Sequence, residues 1–296
     1  MDLAYLREHP HLLPTFLTHQ RIRETPVGGG SISATSRLTF DSGESLFTKS
    51  WPGRDEGEHA PEGFFAAEAN GLRWLREAGA VPVPEVIVEL PDLLAIEWVE
   101  AGEPTESGAR EFGAGLARLH RSGAPTFGAP WAGFIGSLPM PNEASSGPWS
   151  RWFGERRLLP YALLSHGNGA LDGRDVARVE SLIARLGDFD PGEPPARIHG
   201  DLWPGNVLWD SHGRGWLVDP AAHGGNRVTD LACLGLFGGV GYLAQVLDAY
   251  QETFALPDGW RETLPVHRLF LMLVHTAIFG GGYRSAVLSE LDSLAF

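Results

Sequence analysis

The first hundred residues alternate in polarity and most of the rest do not. From Ile32 to Phe40, Ile32, Ala34, Leu38 and Phe40 share one face, with Ser33, Thr35, Arg37 and Thr39 on the other. A period of two predicts a half-buried strand. A DSGE turn follows, and SLFTKSW (45–51) predicts the next strand. RIRETPV (21–27) reads as an earlier strand, joined to them by GGGS (28–31), so a meander forms with a glycine loop at its first bend. Residues 3–19 read as a short helix. GFFAAEANGLRWLREAG (63–79) is helical, with Gly79 a natural C-cap. PEVIVEL and LLAIEWVE supply two more strands.

After a linker-like AGEPTESG (101–108) the pattern turns helical, in AREFGAGLARLH, WSRWFGERRLLPYALLS and RDVARVESLIARLG. Strands return only around RIHGDLWPGNVLWD and GWLVDP. The expectation is an α+β protein of two lobes, 1–100 and 101–296. The small lobe is an antiparallel sheet with one helix, the larger lobe is mostly helical, and the hinge and cleft lie near 95–104.

Composition narrows the class. The chain has 296 residues, 43% of them hydrophobic, enough to bury a sizeable core. Its net charge of −14 argues against nucleic acid or an acidic membrane surface as partner. An anionic ligand would need positive charge supplied locally. Cys233 is the one cysteine, so no intramolecular disulfide can form, which suits a reducing compartment. No basic segment followed by an apolar one marks a signal peptide in MDLAYLREHPHLLP. The longest apolar run, LFLMLVHTAIF (269–279), is interrupted by His275 and too short to span a bilayer. A cytoplasmic protein is expected; oligomeric state is not readable.

The chemistry concentrates in HGDLWPGNVLWDSHGRGWLVDP (199–220). NVLW and GWLVD would pair across DSHGRG and bring Asp219 back beside Asn206 and Asp201. Asn206 and Asp219 are suitable oxygen ligands for Mg²⁺, and Asp201 could accept a proton from an attacking hydroxyl. His-x-Asp-x4-Asn followed by a metal-binding Asp is the spacing of phosphoryl-transfer enzymes, in which a glycine loop covers the phosphates and a strand lysine pairs with a helix glutamate. The chain contains one lysine among its 23 Lys plus Arg: Lys49, on the third expected strand. Glu68 lies on the helix that follows, and Gly28, Gly29, Gly30 and Ser31 form the glycine loop. A compact ammonium can serve both a phosphate and Glu68; planar Arg is not interchangeable there. Taken singly, each feature has an ordinary reading: a flexible turn, a surface charge, a solvated helix residue, a structural histidine. Their order along the chain favours the catalytic one. His120, His166 and His275 show no partner pattern, and no Cys/His spacing suggests zinc.

HGDLWPGN, with Trp203 and Gly205 added to the general motif, resembles the fructosamine kinases (ketosamine-3-kinases), relatives of the aminoglycoside phosphotransferases within the protein-kinase-like fold. GGGSIS (28–33), AAEANGLRWL (66–75), FIGSLPMPN (134–142), WSRWFGERRLLP (149–160), VDPAAHGGNRVTDLA (218–232) and LFGG (236–239) carry the resemblance over most of the chain. It implies ATP- and Mg²⁺-dependent phosphorylation of a sugar hydroxyl on small-molecule or protein-bound ketosamines, a deglycation activity. Carried over by position, Asp201 is the base, Asn206 and Asp219 hold Mg²⁺, and Lys49 and Glu68 serve the ATP phosphates. Glu97, Trp98 and Val99 form the adenine-reading hinge, and Trp203, His199 and Asp230 lie toward the substrate. Asn226 stands where the family commonly has Asp, which puts substrate choice in doubt. A kinase of an aminoglycoside, choline or a free sugar is the alternative, and a non-catalytic nucleotide-binding module is a further one.

Overall fold

The computed structural model describes residues 3–18, 22–28, 32–53 and 57–294. The expected helix over 3–19 is two: α1 (Leu3–Glu8) and α2 (Leu13–Thr18), split by a 3-10 turn at Pro10–Leu12. Pro10 has no N–H to continue α1, and its fixed φ suits a new first turn instead. Five strands follow with one helix among them: β1 (Ile22–Pro26), β2 (Ala34–Phe40), β3 (Ser45–Ser50), α3 (Phe64–Glu77), β4 (Val86–Leu90) and β5 (Leu93–Glu97). They form one antiparallel sheet in the order β1-β2-β3-β5-β4. Leu38, Phe40 and Leu46 are buried on its outer face with Leu6 and Leu13. Ala34, expected on that face, is exposed at the start of β2. Strand alternation turns Phe47 and Lys49 to the opposite face, toward α3. Gly79 follows α3 with φ +58°, a left-handed conformation that glycine adopts without a Cβ clash.

The chain then crosses to the helical lobe. Gly102 N–H donates to Trp209 O at 2.8 Å and Ser211 N–H to Glu100 O at 3.0 Å, which fastens the crossing. α4 (Glu106–Arg121) starts at Thr105, whose hydroxyl accepts from Gly108 N–H. A short hairpin, β6 (Gly133–Ile135) and β7 (Leu138–Met140), precedes α5 (Trp149–Phe153), α6 (Leu159–Gly167) and α7 (Gly173–Ile183). Next come β8 (Ala196–Ile198), β9 (Val207–Trp209), β10 (Gly215–Leu217), β11 (His223–Gly225) and α8 (Val228–Leu234). α9 (Leu243–Thr253), α10 (Trp260–Phe279) and α11 (Arg284–Ser293) complete the lobe. β8 pairs with β11 and β9 with β10, both antiparallel.

This is the expected α+β architecture, with a refinement. One core cluster joins Phe65, Leu72 and Leu75 of α3 to Leu116 of α4, Leu217 of β10 and Tyr250 of α9. A second, mostly helical, centres on Phe270 and Leu273 of α10 with Trp149, Phe153 and Tyr161, and takes in Ile135 and Met140 of the β6–β7 hairpin. Sheet and helices therefore share apolar packing beneath the cleft, which fixes the site's two walls against each other.

Candidate active site

Val207 pairs with Leu217 and Trp209 with Gly215, and Val218 N–H donates to Asn206 O at 3.1 Å. The hairpin thus returns Asp219 to Asn206 and Asp201. Its turn is held by Asp210, which accepts from His212 N–H, Arg214 N–H, the Arg214 guanidinium and Trp216 Nε1. Burial works against the Asp210 charge, but these donors outweigh it and hold the carboxyl well below the usual range. Asp219 has φ +56°, uncommon for a residue with a side chain and characteristic of functional sites.

The loop ahead of the hairpin is held from below. Asp230 on α8, fully buried, accepts from His199 N–H at 2.7 Å and Gly200 N–H at 2.9 Å, and pairs with His120 Nε2 at 3.1 Å. His120 Nδ1 meets Tyr250 Oη at 2.8 Å. Burial raises the cost of the Asp230 charge, yet the His120 contact and the backbone donors keep its carboxyl below the ordinary value. His199 is also fully buried; its Nε2–H donates to Val218 O at 2.8 Å and its Nδ1 accepts from Asp201 N–H at 3.3 Å. Burial lowers its pKa, so the ring is neutral and clamps the loop to the strand that carries Asp219.

Above this frame, Asn206 Nδ2 donates to Asp201 O at 2.8 Å and Asp201 Oδ2 at 3.1 Å. With its nitrogen so engaged, Asn206 keeps Oδ1 as an acceptor to which no group among the described residues donates. Burial, then repulsion from Asp219, pushes the Asp201 carboxyl up to about 8 against the Asn206 hydrogen bond. Lys49 Nζ bonds Glu68 Oε1 at 2.9 Å and also Asp219 Oδ1. Desolvation opposes the ammonium, but the two carboxylates outweigh it and raise its pKa, so Lys49 stays charged. Two of its three donors are used and one is left.

These groups line a cleft of about 440 Å³. Its far wall is the β6–β7 hairpin with Phe134, Met140 and Asn142, and Phe134 meets Phe64 of α3 edge-on at 5.3 Å. Asn142 Oδ1 accepts from the buried Arg157 guanidinium at 2.7 Å, while Asn142 Nδ2 has no partner among the described residues. Arg157 stacks on Trp152 and donates to Pro141 O. Burial lowers its pKa to about 9. Among the described residues no group of three or more His, Cys, Asp or Glu is placed to hold a metal. The Asn206 and Asp219 oxygens, adjacent and only two, fit Mg²⁺, which completes its shell with water and phosphate oxygens.

Of the residues singled out in the sequence, Lys49, Glu68, Asp201, Trp203, Asn206 and Asp219 meet in the cleft. His199 and Asp230, expected toward the substrate, do not: both are fully buried under the loop, where they hold its backbone. Asn226 is buried too, its Oδ1 accepting from Val228 N–H at the start of α8. Glu97, Trp98 and Val99 lie outside the cleft lining. Glu97 N–H is committed to Glu85 O, whereas the Trp98 and Val99 backbones make no hydrogen bond among the described residues. Gly28 is exposed, and Gly29, Gly30 and Ser31 lie outside the described residues. His120, which had shown no partner pattern, braces Asp230. Arg157 and Asn142 were missed as site residues; an arginine inside the apolar helical run WSRWFGERRLLP was the available signal.

The model of the fructosamine kinase family matches residues 11–295. The chain belongs to that family. It is 34% identical to a probable ketoamine kinase of Enterococcus faecium over 90% of this chain and 94% of that one. It is 31% identical to the chloroplastic protein-ribulosamine 3-kinase of Arabidopsis thaliana over 90% of this chain and 80% of that one. Among solved structures, a Thermobifida fusca protein described as a fructosamine-3-kinase superposes with a TM-score of 0.87 at 41% identity, covering 95% of this chain and 98% of that one. The choline kinase LicA of Streptococcus pneumoniae, at 14% identity and a TM-score of 0.63 over 97% of this chain and 99% of that one, shares the fold. No described helix of this family member is long and apolar enough to cross a membrane.

Proposed function

We propose that this fructosamine kinase family member transfers the γ-phosphoryl group of ATP to a sugar hydroxyl of ketosamines, a deglycation activity. The observation that carries the reading is geometric: Asp201 lines one cleft with Lys49, Glu68, Asn206 and Asp219, and burial lifts its carboxyl above the usual range. A base with a pKa near the working pH can take the hydroxyl proton as the bond to phosphorus forms. Lys49, oriented by Glu68, keeps one N–H for a phosphate oxygen in a protein that is otherwise strongly acidic. Asn206 and Asp219 would hold Mg²⁺, which neutralises phosphate charge when bound. The free Trp98 and Val99 backbones would take the adenine edge. The Trp203 ring lies so close to Gly205 that a Cβ there would clash, and the indole lines the cleft with Asp201, where it would meet sugar C–H groups. The relatives named as ketoamine and ribulosamine kinases support the substrate class.

The test is ATP consumption with Mg²⁺ on fructose- and ribulose-derived lysine adducts beside an aminoglycoside and choline, with mass spectrometry of the products. A phosphorylated ketosamine, followed by free lysine, is the expected result. Faster turnover of an aminoglycoside or choline than of any ketosamine would select the alternative.

A further inference from the structure

Five rings run outward from the catalytic loop. Trp203 meets Phe237 edge-on at 5.8 Å, Phe237 lies 5.4 Å from His275, and His275 lies 5.7 Å from Phe279 and 5.0 Å from Tyr283. Phe237 is 53% exposed and Phe279 50% exposed, so the rings form an open shelf. Phe237 holds φ +53°, a conformation costly for an aromatic residue and stabilised only by its surroundings. The shelf meets the cleft at a second point. A Cβ on Gly136, which lines the cleft, would come within 2.6 Å of Ile278 Cδ1, on the last turn of α10 beside Phe279.

The ring faces here are treated differently from those elsewhere. Trp74, Trp98, Trp152 and Phe254 each carry an arginine over the ring. No arginine among the described residues stacks on any of the five shelf rings. His275 adds no charge: its Nδ1–H donates to Leu271 O, and burial lowers its pKa. An uncovered aromatic surface on a chain of net charge −14 attracts an external cation.

We infer that the Phe237–His275–Phe279–Tyr283 shelf seats the amine-bearing arm of the substrate, a protonated N-alkylamine of lysine type still attached to a polypeptide. This rests on the proposed ketosamine reading, in which the sugar lies at Trp203 and Asp201. The amine is then the next group outward, and the shelf begins there. Its openness lets a peptide continue into solvent, which an enclosed pocket would forbid.

The experiment compares two fructose-derived substrates, the adduct of lysine within a capped peptide of uncharged neighbours and the same peptide with an ether oxygen in place of the ketosamine nitrogen, which removes the cation. They are tested on the wild type, Phe279→Leu, and the double variant Phe279→Ala with Tyr283→Ala. The peptide adduct is expected to lose about twofold to fivefold in kcat/KM for each ring removed, through KM, while the neutral ether analogue loses less. Phe279→Leu keeps apolar bulk, so a loss there isolates the ring face, and its affinity for ATP reports folding. Equal effects on both substrates, or none on the peptide, would overturn the shelf while leaving the kinase reading intact. A change of sedimentation in the double variant with unaltered peptide kinetics would assign the shelf to a second copy and overturn it. No turnover of the peptide adduct by the wild type would sink the kinase reading and the shelf with it.

Discussion

His267 and His275 stand two turns apart on α10 and belong to different worlds. His267 is fully buried among Trp149 and Phe153, beside Thr229 next to Asp230, in the frame beneath the catalytic loop. His275 lies in the half-open ring shelf. The frame is over-determined: Asp230 alone bonds three groups, and His199 ties the loop to the Asp219 strand. The shelf has ring contacts and little else. Chemistry that must place Asp201 reproducibly is built on buried polar groups with satisfied partners, whereas a surface that receives variable amines can remain exposed.

The sharpest way to separate frame from chemistry is Asp201→Ala. It should lower kcat about a hundredfold to ten-thousandfold, because a positioned base is removed. Nucleotide affinity by calorimetry should hold, since Asp201 touches neither Lys49 nor Glu68. Equal loss of binding and turnover would mean that Asp201 supports the loop and is not the base. Next in size is Lys49→Arg, expected to reduce kcat about tenfold or more while keeping the charge, because the planar fork cannot repeat the ammonium's contacts with Glu68 and Asp219. Wild-type rates in that variant would make the lone lysine a compositional accident.

Asp230→Asn tests the frame itself. The amide offers one acceptor where the carboxylate offers two, so His199 or Gly200 N–H loses its partner. A stability loss of about 2–3 kcal/mol is expected by urea unfolding at pH 7. The Asp230 pKa is depressed in the fold, so its stabilisation is present above the unfolded carboxylate value near 4 and disappears as pH falls through the folded value. Wild type and variant should therefore converge only in strong acid. Convergence already at pH 5 would show that the carboxylate is not held ionised.

The contrast between frame and shelf also marks what was readable from sequence. The β9–β10 hairpin and the meeting of Asp201, Asn206 and Asp219 follow from short spacings, and the Lys49–Glu68 pair from the phosphoryl-transfer template. A resemblance carries positions and not the direction a side chain faces, so His199 and Asp230 are expected toward the substrate although both are buried in the core. The braces on Asp230 come from His120, more than a hundred residues away, and no local pattern encodes that contact. The β6–β7 wall consists of three-residue strands, too short for alternation to register. His275, Phe279 and Tyr283 are spaced by four, yet α10 ends at Phe279 and Tyr283 lies in a 3-10 turn beyond Gly280, so no single helix face marked them in the sequence. Phe237 and Trp203 join them only in three dimensions.

The smallest effect is the most specific to the buried side of α10. Burial lowers the His267 pKa to about 3, and its Nε2 has no partner among the described residues. A histidine neutral in the fold and near 6.5 when unfolded makes the unfolded state bind the extra proton between those values, so stability falls on acidification through that window. The contribution from one such group is about 1 kcal/mol between pH 6 and pH 5. His267→Phe retains the aromatic packing on Trp149 and loses the Thr229 hydrogen bond, a cost independent of pH over that range. The variant should be less stable at pH 6 yet lose about 1 kcal/mol less than wild type on going to pH 5, read from urea midpoints at constant m. An undiminished acid loss would mean that His267 accepts its proton while folded, and the frame beneath the loop would then be more open to water than its packing indicates.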